Sequence, residues 1–128
     1  NQKIDEMIKN KIINPKSIKN TSMYTEDKDK PSDIEDLLST KIYLDFFNKT
    51  FEKQLPEKIK NSDLPAGNRI VERLNRYLKE NKISLRPSGG FNHYLVASTF
   101  GANPPKTIDD KTLNNFESLF RDINSILE

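Results

Sequence analysis

The stretch KPSDIEDLLSTKIYLDFFNKTFEKQL, Lys30 to Leu55, decides the fold. Its second part places Tyr43, Phe46, Phe47, Phe51 and Leu55 at helical spacing, with Asp45, Asn48, Lys49 and Glu52 on the opposite face. That period is the signature of an amphipathic helix packed on a core. Leu37 and Leu38 read as a separate first turn, because Ser39-Thr40 re-caps a second helix, and Pro56 ends the segment. Ahead of it stand three carboxylates within four residues, Asp33, Glu35 and Asp36. Ser32 with Glu35 three residues later has the spacing of a capping box, and Asp33 at the helix start suits the dipole. The same acids could hold a metal. Mg²⁺, however, asks for near-octahedral oxygen ligation, and the chain has no DxD pair or EF-hand spacing to complete it.

Working outward, QKIDEMIKNKI sets Ile4, Met7, Ile8 and Ile12 at near-helical spacing, and Asn14-Pro15 breaks the pattern. SIKNTSMYT reads as a possible strand, followed by a charged loop, EDKDKP. On the other side, NSDLPAG is a loop and NRIVERLNRYLKEN a helix with Ile70, Leu74, Tyr77 and Leu78 inward. Glu72 and Arg76 make a favourable i, i+4 pair on it. RPSGG is a turn. FNHYLVASTFG, Phe91 to Gly101, carries a continuous apolar run that periodicity alone assigns to neither helix nor strand. After ANPPKT, Asp109-Asp110 open a last helix whose Leu113, Phe116, Phe120, Ile123 and Leu127 step 3-4-3-4, a core stripe by its spacing. The expected fold is mainly α, α+β at most: a helical bundle-like unit with a single possible strand near the N-terminus.

The 128 residues suit one compact domain, and 34 % hydrophobic against 31 % charged residues give a polar chain with a modest core. Cysteine is absent, which excludes disulfides and thiolate chemistry and fits a cytoplasmic location. No apolar run reaches membrane-spanning length. The chain begins with Asn1 rather than Met, so the expectation is of a piece of a longer protein.

Charge is unevenly placed. All five arginines lie in the second half, and from Arg69 to Arg86 six basic residues face only Glu72 and Glu80. Arg69, Arg73 and Arg76 follow an i, i+4, i+7 stripe, with Lys79 and Arg86 beyond it. Several guanidiniums on one face could follow a phosphate backbone. They could equally form a solvated face with local salt bridges. His93 is the single histidine and cannot build a zinc site without cysteines or further histidines. A ring bonded to a backbone group or a carboxylate is the expectation for it. PSGG lacks the GK[ST] of a phosphate-binding loop.

Taken together, DIEDLLSTKIYLDFFNKTF, GNRIVERLNRYL, FNHYLVAS and DDKTLNNFESLFRDINSIL, in that order, resemble the end of AAA/ABC-type ATPases with a C-terminal Toprim nuclease domain. This is the group around the overcoming-lysogenization-defect (OLD) nucleases, many of them bacterial anti-phage proteins. The resemblance covers roughly Met23 to Glu128. It implies an ATP-binding domain and the main acidic motifs upstream, outside this chain. It also implies that residues 1–39 end a Toprim α/β unit, with 40–128 a helical region packed on it, and that FNHY opens a helix. IEDL would be the late acidic motif, with Glu35 and Asp36 as Mg²⁺ ligands of a two-metal site and Arg69 as the basic catalytic residue. Arg69, Arg73, Arg76, Lys79 and Arg86 would then meet DNA. A lysine is the expected residue where Asn68 and Arg69 stand, and that departure weakens the implication of cleavage. A homo-oligomer or partner subunit, and no membrane, complete the implied setting. Two other readings stand beside it. One is a stand-alone nucleic-acid-binding module built on the arginine face. The other is a non-catalytic protein-interaction domain using an apolar helix face such as Phe47/Phe51 or Leu113/Phe120.

Overall fold

The computed structural model describes residues 1–127, and the chain is mainly α throughout them. Five α-helices run in order: α1 (Gln2–Lys9), α2 (Thr40–Thr50), α3 (Ile70–Glu80), α4 (His93–Ala102) and α5 (Asp110–Leu127). Short 3-10 turns cover Pro15–Ser17, Thr21–Tyr24, Ile34–Leu37 and Asn61–Asp63, and no strand occurs among the described residues. The FNHY segment is helical, with the Asn92 side chain accepting the Tyr94 amide as its cap.

Helix α2 is the centre. Ser39 caps it through a 3.3 Å bond from the Ile42 amide, as its position predicts. Ile42, Tyr43, Leu44, Phe46 and Phe47 are all buried along it. The core closes as an aromatic cluster. Phe47 lies 4.9 Å from the rings of both Phe51 and Phe91, and Phe46 lies 4.8 Å from Phe100. From α3 the cluster receives Ile70, Leu74 and Leu78. Phe47 has no exposed surface, so Phe47→Ala would cost about 3–5 kcal/mol. Asn48 is not on a solvated face as its spacing suggested. Its amide grips the backbone of Ile59 from both sides, at 2.8 and 2.9 Å, and so folds the 51–60 segment back over α2.

Helices α1 and α3 end alike. Lys11 and Lys82 take left-handed backbone angles, φ 54° and 56°, and the next amides, Ile12 and Ile83, return to Met7 and Leu78 at 2.9 Å. This is a Schellman ending with lysine where glycine is usual.

Three sequence expectations fail here. SIKNTSMYT is not a strand: Asn14 caps a 3-10 turn, a second turn follows, and only Tyr24 of the stretch is buried. A lone strand needs a partner for its ladder, and the chain supplies none among the described residues. The Glu72–Arg76 ion pair is not formed among the described residues, since Arg76 turns to the Ala66 carbonyl instead. The α5 stripe is not core. Phe120 is 57 % and Leu127 80 % exposed, and Thr112 is the buried residue of that helix.

The reason for the last is polar. Thr112 Oγ1 accepts the Ser39 amide at 2.8 Å, Asn115 donates to the Leu37 carbonyl at 3.0 Å, and Asp122 accepts the Tyr24 hydroxyl at 3.0 Å. Asp109 caps α5 by accepting the Thr112 amide at 2.8 Å, and it also accepts the Ser39 hydroxyl. These contacts fix the helix by its 112/115/119/122 side. The apolar stripe lies one residue round, about 100° away.

Candidate functional site

The acidic turn is the meeting point of the chain. Its capping box is one residue later than the sequence suggested. Ser32 bonds Thr21, with its hydroxyl 3.0 Å from Oγ1, while Asp36 Oδ2 reaches back to the Asp33 amide at 2.7 Å. Asp36 Oδ1 accepts the Ile70 amide at 2.8 Å. That bond caps α3 from a distant segment, and α3 needs it because Arg69, at its N-cap position, provides no side-chain cap of its own. Asp33 takes Arg69 in a two-pronged pair, Nε to Oδ2 at 2.9 Å and Nη2 to Oδ1 at 3.0 Å. The pair holds the guanidinium above its ordinary pKa, mainly through these hydrogen bonds. Glu35 Oε1 lies 2.8 Å from His93 Nδ1, and the His93 ring stacks on Phe91 at 4.8 Å and 12°. His93 therefore meets a carboxylate, as expected of it.

Three acids thus reach three places: Asp33 the residue before α3, Asp36 the first amide of α3, and Glu35 the first residue of α4. Beneath them Tyr43 is buried, and its hydroxyl has no hydrogen-bond partner among the described residues. Burial first, and then the charges of Glu35 and Asp36, push its ionisation well above the usual tyrosine range. It stays neutral.

The turn by itself does not fit a two-metal centre. Both Asp36 oxygens are held by backbone amides, and both Asp33 oxygens face Arg69. No group of three or more His, Asp or Glu side chains converges as a metal set among the described residues. Arg69, which the resemblance implies as the basic residue that stabilises phosphate charge, faces Asp33 instead of open space.

The remaining arginines staple the loop before α3. Arg73 donates to the Pro65 carbonyl at 2.8 Å and to Asn61 Oδ1 at 3.0 Å, and Arg76 donates to the Ala66 carbonyl. Gly67 lies directly under them: a Cβ there would stand 2.7 Å from Arg76 Nη2 and 3.1 Å from Arg73 Cγ. Lys79 borders a shallow hollow with Asp33, Arg69 and Arg76, and Arg86 is exposed in the loop after α3. A cleft of about 260 Å³ opens beside the turn, between Lys30, Ser32, Asp36, Asn68 and Lys111.

The Asp33–Arg69 and Asp36–Ile70 links escaped sequence reasoning. One signal was available: a helix starting at Ile70 with arginine in the capping position must find its cap elsewhere. The fold and its turn define an all-helical unit locked by a carboxylate clasp. No helix among the described residues is long and apolar enough to cross a membrane. No protein-family profile, curated protein or solved structure matches the chain.

Proposed function

We propose that this chain is a helical docking module that joins protein to protein through the outer face of α5, with the acidic turn acting as its internal clasp. The observation that carries this reading is the exposed stripe of Leu113, Phe120, Ile123 and Leu127 on a helix held by polar bonds along another side. Exposed large apolar residues in a row mark interaction surfaces rather than solvated ones. The arginine face supports nucleic-acid binding less well, because Arg69, Arg73 and Arg76 each spend their donors inside the chain. The other interaction face considered, Phe47/Phe51, is buried in the core.

The OLD-like resemblance supplies the proposed setting. There the module would belong to the C-terminal portion of an ATP-dependent Toprim DNA nuclease, with ATP and Mg²⁺ handled by segments outside this chain. It would contribute subunit positioning, not cleavage.

The test is a photo-reactive amino acid placed at Phe120 in the protein expressed in its own cells, with Glu52 as an exposed control site. A discrete cross-linked product from position 120 and none from 52 is expected. No product from 120 would end this reading. For the setting, Glu35→Ala in the intact protein is assayed for Mg²⁺-dependent nicking; a clasp role predicts retained nicking with a lower unfolding midpoint. Complete loss of nicking in a folded variant would restore Glu35 as a metal ligand.

A further inference from the structure

We propose that α5 is a latched arm: it leaves the body as a unit while the core stays folded, through an opening separate from global unfolding. The first observation is where the core ends. Its thirteen buried side chains run from Ile42 to Val96, and the half-buried residues packed on them from Leu38 to Phe100. Among the described residues, none from α5 belongs to it. Of the 18 residues of α5 only Thr112 is fully buried. Tyr24 and Leu37, on the segment that bonds to α5, are buried outside the core. Apolar burial is the largest favourable contribution to folding, and it secures α2, α3 and α4 far more firmly than α5.

The second observation is what holds the helix. Thr112 Oγ1 accepts the Ser39 amide at 2.8 Å, Asn115 donates to the Leu37 carbonyl at 3.0 Å, and Asp122 accepts the Tyr24 hydroxyl at 3.0 Å. Two ion pairs add to these, Lys111 with Glu26 at 2.9 Å and Lys19 with Asp122 at 3.5 Å. All of these partners lie between residues 19 and 39. Each such bond contributes little net stability, because water replaces it when it breaks, and solvated ion pairs contribute less. The seat itself is tied to the core. Asp33 and Asp36 bind the start of α3, and Glu35 binds the start of α4. It stays in place when the helix leaves.

The third observation is the connector. Residues 103–109 join α4 to α5 and are exposed except at Pro105. No backbone hydrogen bond starts or ends on residues 104–108 among the described residues. Seven residues reach roughly 20 Å when extended, enough for the arm to clear its seat. Release frees the Thr112, Asn115 and Asp122 side chains together with Leu119, which is half-buried on that side. For a docking partner, and on that reading alone, the released helix offers a broader face than the seated one.

Native-state hydrogen exchange of the full chain, resolved amide by amide by NMR, tests the arm without any partner. An isolated helix of 18 residues is marginal in water, so α5 amides exchange once the helix leaves. They should exchange through an opening of lower free energy than the amides of Phe47, Leu74 and Leu78, which wait for global unfolding. Two variants separate the openings. Ile59→Val weakens core packing that is retained when α5 leaves. It should speed the core amides roughly fivefold and leave α5 unchanged. Thr112→Val removes a bond lost in both openings and should speed α5 and the core together, by about tenfold. Exchange of α5 at the core rate, α5 amides that follow the core in Ile59→Val, or α5 amides indifferent to Thr112→Val would each overturn the proposal. Loss of the cross-link at position 120 ends the docking reading and leaves the arm, which the exchange rates judge by themselves.

Discussion

Asp36 and Ile70 are 34 positions apart in sequence, yet the carboxylate of one accepts the first amide of the helix that begins at the other, at 2.8 Å. The other oxygen of Asp36 closes its own turn on the Asp33 amide. One side chain thus accepts one amide at each of two helix starts. Asp36→Ala would leave both amides without their charged acceptor and should destabilise the chain by about 2–3 kcal/mol. Urea unfolding followed by circular dichroism measures it, and a loss below experimental error would mean that water replaces the carboxylate.

The Asp33–Arg69 pair is two-pronged but partly open, with side chains 31 % and 41 % exposed. Solvent screening keeps its coupling small. A double-mutant cycle with Asp33→Ala and Arg69→Ala should return a weak favourable coupling that shrinks as salt is added. A coupling that ignores salt would place the pair in a much drier environment than its exposure shows.

Lysine at position 82 holds a left-handed angle at the end of α3. Glycine adopts that angle without the Cβ conflict, so Lys82→Gly should stabilise the chain by about 1 kcal/mol. A rise in melting temperature of several degrees is the expected readout. Gly90 is the reverse case: its φ is +67°, and a Cβ there would stand 2.9 Å from Asn75 Oδ1. Gly90→Ala should lower the midpoint.

Asp109 has a carboxyl pKa held below its ordinary 3.8 by the Ser39 hydroxyl and then by the Thr112 amide. A depressed carboxylate stabilises the folded state fully above the unfolded value. That contribution is lost as pH falls from about 3.8 through the folded pKa. The link between α2 and α5 should therefore weaken only in acid, and Asp109→Asn should flatten this limb of the stability profile. An acid limb identical in the variant would assign the loss to other carboxylates.

Much of the helical plan was legible in order along the chain. The period of Tyr43, Phe46, Phe47 and Phe51, the Ser39 cap and the inward Ile70, Leu74 and Leu78 each gave an element that the structure contains. Helices write their faces in local spacing, and a cap acts within its own turn. The site was less legible, because its bonds connect segments tens of residues apart. Glu35 could have reached its own cap, a metal or a distant ring, and sequence spacing permits all three. The fold brings His93 to 2.8 Å from it.

What the sequence alone determined is that the segments of α1, α2, α3 and α5 are helical, where most of them start and stop, and which residues can form a core. What only the tertiary structure decided is which apolar stripe is used. The stripes of α2 and α3 close on one another around Phe47, Leu74 and Phe91. The α5 stripe has equally regular spacing but faces outward, because Thr112, Asn115 and Asp122 bind the body along a neighbouring side. Period records that a face is apolar. Only the directional hydrogen bonds that orient the helix record what that face meets.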